Sequence, residues 1–313
     1  MNQQDKTLFM QKNVVVFILA TICCALWGSA FPCVKIGYSL MNIVSSDIPS
    51  LILFAGCRFT LAGVITVIIC SLMEKKLIVP RKKAIGKVFI LCLFQTILQY
   101  ILFYIGLAHA SGVKASIIDG LNVFVALLVS SLIFKLEKLT NRKILGSIIG
   151  FAGVVIMNLA GSSTDMSFNL IGEGFVFLST VAYAFSSVVM KKFSKEENPI
   201  MLSAYQFVFG GIVLILVGLF MGGRIEIVSP ASVAMLLYLA CVSAVAYSLW
   251  GILLKYNPVS KIAIFGFVTP IFGVVLSAVL LNETGTLNIY SIVALIFVCI
   301  GIYIVNKPKI QSV

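Results

Sequence analysis

Runs of about 20 apolar residues, each closed by a charged or turn-forming break, recur along the whole chain. A run of that length crosses a hydrocarbon core of about 30 Å as an α-helix. Ten runs are read, at 14–40, 48–72, 85–108, 112–134, 141–160, 171–193, 200–221, 230–254, 258–281 and 287–305. The breaks are short, and no soluble domain is inserted. The pattern predicts an all-α membrane protein of ten transmembrane helices. Lys6 and Lys12, the apolar run from Val14, and Gly28-Ser29-Ala30 imitate a signal peptide. The run continues past this point to Tyr38, so it is read as an uncleaved first membrane helix.

Composition agrees. The chain of 313 residues is 60% hydrophobic and 11% charged, with a mean hydropathy of +1.11. A soluble domain carries about 25% charged residues, so most of this surface must face lipid. The net charge of +12 does not imply a nucleic-acid partner, because the charges sit in the short loops between apolar runs. Their placement sets the orientation instead. With the N-terminus in the cytoplasm, the inner side holds Lys6, Lys12, Lys75, Lys76, Arg81, Lys82, Lys83, Lys87, Lys135, Lys138, Arg142, Lys143, Lys191, Lys192, Lys195, Lys255, Lys261, Lys307 and Lys309. Only Lys35, Arg58, Lys114 and Arg224 fall toward the outside. Both termini are expected inside, and the expected location is the cytoplasmic (inner) membrane. The eight cysteines all lie within apolar runs without CxxC spacing, which makes them packing residues rather than metal ligands or disulfides.

The chain also reads as two copies of a five-helix unit, 14–160 and 171–305. At an offset of 146, Val113, Gly120, Val129, Ser131, Glu137, Thr140 and Phe151 match Val259, Gly266, Val275, Ser277, Glu283, Thr286 and Phe297. More weakly, Phe59 and Gly63 echo Phe207 and Gly211, while Trp27 and Lys35 echo Tyr183 and Lys191. A unit with an odd number of spans inserts its second copy upside down, and such inverted repeats are a recurrent transporter architecture. The expected fold is two inverted five-helix repeats with a site near the midplane between them.

Ala25-Leu26-Trp27-Gly28-Ser29-Ala30-Phe31 in span 1 and Arg58-Phe59 in span 2 carry a resemblance, together with two helix–Glu-x-x-Thr–helix segments (Ser111 to Asn158 and Pro258 to Val305). With these features the chain resembles the ten-helix EamA-type members of the drug/metabolite transporter superfamily over nearly its whole length. The resemblance implies a secondary transporter, often an exporter of amino acids or related metabolites, with a central cavity lined chiefly by spans 1, 3, 4, 6, 8 and 9. One departure stands out. Span 9 has Thr269-Pro270 where span 4 has Val123-Phe124, so a proline kink is expected in the second half only.

Polar residues inside the spans are the candidate chemistry, since an ionised group at the centre of a bilayer costs about 2.5–3.5 kcal/mol on insertion scales. Arg58 lies about 15 Å deep in span 2 and Asp119 about 10 Å deep in span 4, counted from the same side at the helical rise. Their similar depth permits an ion pair, and Asp119 is the expected contact for an amine or carrier of a proton. A purely structural pair, or a snorkelling arginine, is the plainer alternative. On span 3, Gln95 stands four residues from Gln99, and Tyr100 four from Tyr104, so each pair stacks on a helix face. With Trp27, Asn122, Tyr183, Ser187 and Tyr247 they form a candidate polar and aromatic lining for a small zwitterion or aromatic metabolite. Ser186, Ser248 and Trp250 neighbour that set, and interhelical hydrogen bonding with an interfacial aromatic belt would explain the same residues. Lys35 and Lys114 read as headgroup-facing, and Glu137 and Glu283 as structural residues at span ends.

The one histidine, His109, falls in an outer loop, and HExxH, GxSxG and phosphate-loop patterns are absent from the sequence. The sequence thus reads as a transporter rather than an enzyme, with a facilitative channel or receptor as the alternative. No cofactor and no metal are expected. The expected partners are a small-molecule substrate and membrane lipid; a homodimer is left open and nucleic acid is not expected.

Overall fold

The computed structural model describes residues 3–44, 46–109, 118–159, 169–280 and 289–307. Every described regular element is helical. In chain order these are α1 (Gln3–Gln11), α2 (Asn13–Leu40), α3 (Ile48–Glu74), α4 (Lys82–Cys92) and α5 (Gln99–His109). There follow α6 (Asn122–Leu128), α7 (Asn141–Leu159), α8 (Phe175–Phe193), α9 (Pro199–Phe220), α10 (Pro230–Tyr256), α11 (Val259–Ala263), α12 (Thr269–Leu280) and α13 (Ile289–Asn306). Seven segments are long and apolar enough to cross a membrane: Asn13–Leu40, Ile48–Glu74, Lys82–Gly106, Leu170–Phe193, Pro199–Phe220, Pro230–Tyr256 and Val259–Ser277. The other predicted runs hold helical stretches at 118–133, Asn141–Leu159 and Ile289–Asn306. Lys114, Glu283 and Thr286, with the outer ends of the fourth, fifth, ninth and tenth runs, lie outside the described residues.

Local chemistry explains where several helices start. The Asp47, Asn198 and Ser229 side chains accept hydrogen bonds from the backbone N–H groups of Ser50, Ile200 and Ser232, and proline stands in the first turn of each helix. A polar cap followed by proline suits the unpaired N–H groups of a first turn. Helix α1 was not foreseen in the sequence pattern because it is polar. It docks by side chains: Gln11 Nε2 donates to the Tyr256 carbonyl, Asn257 Nδ2 to that of Met10, and Lys261 Nζ to that of Gln11.

Both spans expected to be equivalent at Gly120 and Gly266 are interrupted. Ile264–Val268 is a 3-10 segment leading into α12, whose second residue is Pro270. In the first half the chain turns at Leu121 before α6 without any proline. The break is therefore shared by both halves, although its proline is not.

Helix α3 packs along α9, and α7 along α13. Helix α2 packs on α10 and α12, while α8 packs on α5 and α6. Glycines permit the α3–α9 and α7–α13 approaches, with backbone meeting backbone at Gly56, Gly63, Gly211, Gly146 and Gly301. The outer surface is apolar, with Phe17, Ile68, Phe89, Leu216 and Phe220 exposed, while Arg58, Gln95, Thr96, Gln206 and Ser243 are buried. Polar groups inside and apolar groups outside are the arrangement lipid demands.

Two polar clasps tie loops to helices. The Glu137 carboxylate accepts from Ser130 Oγ, Ser260 N (3.0 Å), Ser260 Oγ and Lys143 Nζ (2.6 Å), tying the π-helical turn after α6 (Val129–Ile133) to α7 and α11. Glu197 pairs with Arg81 (3.0 Å) and Lys87 (3.2 Å) across the start of α4. Burial alone would raise the pKa of Glu137, but the Lys143, Ser130 and Ser260 donors outweigh it and hold the carboxyl below its usual range. A depressed folded-state pKa contributes stability that is present above the ordinary glutamate range and is lost as pH falls through the folded value. Glu137→Ala is expected to destabilise the protein by about 2–4 kcal/mol, since it removes the carboxylate partner of Lys143 and the acceptor of two serines. The difference in melting temperature between wild type and variant, followed by fluorescence in detergent, should shrink on acidification. A difference that grows on acidification would contradict this account.

Candidate functional site

Helices α2, α3, α5, α8, α9 and α10 bring a belt of aromatic rings to the middle of the bundle. The Trp27 ring meets Tyr247 and Trp250 edge-on at 5.2 and 4.9 Å between centroids. Tyr247 shares a hydroxyl–hydroxyl hydrogen bond of 3.1 Å with Tyr100 and packs against Phe207 at 4.9 Å. Tyr100 in turn lies 4.4 Å from Phe59 and 6.2 Å from Tyr104. Four of the expected lining residues, Trp27, Tyr100, Tyr104 and Tyr247, thus form one contiguous surface. Phe59, Phe207 and Trp250 complete it.

Asp119, just before the turn at Leu121, is exposed despite its place within the bundle, and it accepts a 3.5 Å contact from Thr180 Oγ1 on α8. It stands within electrostatic reach of the Tyr183 and Tyr247 hydroxyls. Asn122 is half-buried at the start of α6. Ser187 is buried, and its hydroxyl is spent on its own helix, donating to the Tyr183 carbonyl at 3.2 Å.

Gln95 lies within a π-helical turn, Leu93–Leu98, and Gln99 follows directly at the start of α5. Gln95 is buried and Gln99 half-buried. Both side-chain carbonyl oxygens, with Trp27 Nε1 and Ser248 Oγ, are buried without a hydrogen-bond partner among the described residues. A buried polar atom left unpaired costs about 1–3 kcal/mol.

Arg58 is 6% exposed, and its Nε donates to Ser243 Oγ on α10 at 3.1 Å. Its guanidinium lies 5.1 Å from the Phe59 ring centroid and within electrostatic reach of Tyr38, Tyr100, Tyr104 and Tyr247. The ion pairs within 4.0 Å among the described residues do not include one between Arg58 and Asp119. The two charges instead face the same tyrosine belt from different helices. Ser243, Phe207 and Thr180 were missed in the sequence because each is far along the chain from its partner; the Phe59–Phe207 repeat match was the one available signal.

Val188, Met190, Trp250, Leu253, Val259, Ile262 and Phe265 are all buried in one apolar cluster. Asp119 and Lys35 are exposed, and Tyr100, Tyr183 and Asn122 are half-exposed. Two cavities, about 420 Å³ at Arg81, Lys87 and Glu197 and about 510 Å³ at 131–139, are separate surface clefts beside the two clasps.

The EamA-like transporter family model matches twice, at residues 14–159 and 170–307. An uncharacterized transporter of Archaeoglobus fulgidus is 28% identical over 306 residues, covering 96% of this chain and all of that protein. The uncharacterized transporter YvbV of Bacillus subtilis is 28% identical over 269 residues, covering 83% of this chain and 84% of its own length. A solved crystal structure superposes with a TM-score of 0.76 at 16% identity, covering 94% of this chain and 96% of that one, which establishes a shared fold. A multi-pass helical bundle with its polar groups turned inward, matched by the family model in both halves, makes this chain a membrane transporter of the EamA-like family, within the drug/metabolite transporter superfamily.

Proposed function

We propose that the protein is a secondary transporter of the cytoplasmic membrane that exports amino acids or related small metabolites by alternating access. Ten crossings, in two inverted five-helix repeats (14–160 and 171–305), carry the chain with both termini inside. Helix contacts support the repeat because they come in matched sets. The second helices of the two halves pack together (α3 with α9), as do the fifth (α7 with α13). The first helix of the first half (α2) packs on the third and fourth elements of the second half (α10, α12). Reciprocally, α8 packs on α5 and α6. Polar contacts follow the same rule: Arg58 bonds Ser243, and at the equivalent place Thr96 Oγ1 donates to Gln206 Oε1 at 2.6 Å. The 19 to 4 partition of lysine and arginine supports the orientation. With that orientation the loops that carry Glu137 and Glu197 are cytoplasmic.

The observation that carries the substrate reading is the aromatic belt with unpaired polar atoms and one accessible carboxylate, Asp119. It suits a small molecule with an amine and an apolar or aromatic body. The test is flux in proteoliposomes with labelled amino acids and amines, with and without an imposed pH gradient. Saturable, protein-dependent movement of one class is expected, and gradient dependence distinguishes proton coupling from exchange. Absence of saturable flux for every compound, from folded protein, would overturn the reading.

A further inference from the structure

Arg58 stands on a helix buried on most sides, and a cation so placed costs free energy unless an anion or several acceptors compensate it. Here it has one hydrogen bond, Nε to the neutral Ser243 hydroxyl, and no carboxylate within 4.0 Å among the described residues. Four of its guanidinium N–H groups therefore lack a described acceptor. Snorkelling does not account for it, because the side chain is 6% exposed.

Nor does packing demand the charge. The repeat match of Phe59 with Phe207 makes Gln206 the equivalent of Arg58 in the second half. Gln206 is completely buried as a neutral amide, with Oε1 accepting from Thr96 and Nε2 lacking a partner among the described residues. The same slot in the fold thus accepts an uncharged side chain, and the chain keeps a cation in one copy only. That copy faces the tyrosine belt, whose hydroxyls supply further donors but no negative charge.

We propose that Arg58 is the anchor for a carboxylate on the transported molecule, and that this carboxylate is the anion missing from the resting site. The planar guanidinium fork matches a carboxylate in two parallel hydrogen bonds, a geometry that lysine cannot reproduce. The inference rests on the transporter reading and narrows it: the cargo bears a carboxylate, its amine faces Asp119, and its body lies against Trp27, Tyr100 and Tyr247. Arg58 then sets specificity between an amino acid and the corresponding amine.

The test is ligand-induced stabilisation of the purified full-length protein, which does not depend on flux. Two sets of probes are used: phenylalanine, phenethylamine and 3-phenylpropionate; and leucine, isoamylamine and 4-methylpentanoate. Inorganic phosphate serves as the comparison oxyanion. At least one carboxylate-bearing probe is expected to raise the melting temperature of the wild type, with neither the matched amine nor phosphate doing so. Arg58→Gln should weaken the apparent affinity by about tenfold or more, and Arg58→Lys should restore only part of it. The proposal is overturned if amines or phosphate stabilise as well as carboxylates, if no carboxylate stabilises, or if Arg58→Gln binds carboxylates as the wild type does. Should Arg58→Gln not fold, the wild-type probe comparison and Arg58→Lys decide alone. Saturable flux of another class in proteoliposomes would leave the transporter reading standing while removing the anchor.

Discussion

Asp119→Asn is expected to lower saturable transport by about tenfold or more while leaving the protein folded and its yield unchanged. The size follows from replacing an ionic hydrogen bond to a substrate amine, worth about 1.5–3 kcal/mol, by a neutral one. The selectivity of the effect follows from geometry. Asp119 is exposed within the bundle, and its one described hydrogen bond, from Thr180 Oγ1, is a long 3.5 Å contact. An amide of the same shape can take that contact, so the fold loses little. Initial rates in proteoliposomes would be compared with melting temperature in detergent for the same preparations. Unchanged kinetics would remove Asp119 from the mechanism. A parallel loss of rate and melting temperature would make it a structural residue instead.

Much of the architecture was legible because a bilayer imposes blunt rules: long apolar runs, charged loops and polar caps. The ends of α3, α9 and α10 are announced by Asp47, Asn198 and Ser229 followed by proline. Helix α1 was not announced, because its helicity depends on tertiary bonds to Tyr256, Asn257 and Lys261 rather than on apolar periodicity. The π turn at Leu93–Leu98, which carries Gln95, was equally silent. Proline marked the break in the ninth run, but the equivalent break at Leu121 carries no proline, so only the repeat match of Gly120 with Gly266 pointed to it.

At the site, residue type and spacing singled out Trp27, Tyr100, Tyr104 and Tyr247, which do meet. Depth along a helix was less informative than it looked. Counting along the helices puts Arg58 and Asp119 at similar depth, yet such a count carries no information about direction around the helix axis. Each bonds a different hydroxyl, Ser243 and Thr180. Glu137 was readable as structural from its place at a span end. Its reach to Ser260, 123 residues further along the chain, was not.

The largest expected loss of stability comes from a single methyl group. Helices α3 and α9 touch through backbone at Gly211, where an added Cβ would stand 2.5 Å from the Thr60 nitrogen and 2.8 Å from the Gly56 carbonyl oxygen. Neither backbone atom can rotate away, so Gly211→Ala must separate the two helices. In lipid there is little hydrophobic drive to restore the contact, because association depends on close packing itself. Gly56, Gly63 and Gly218 share the same interface, so separation would loosen all of them together. A destabilisation of about 3 kcal/mol or more is expected, at the upper end of overpacking effects. Gly86→Ala is the matched control. Gly86 lies within α4 with nothing within 4 Å of its added Cβ, so alanine there should be neutral or stabilising by up to about 1 kcal/mol. Melting temperatures of the two variants in one detergent would separate the two effects. Similar values for both would mean that α3 and α9 are held by something other than close backbone packing.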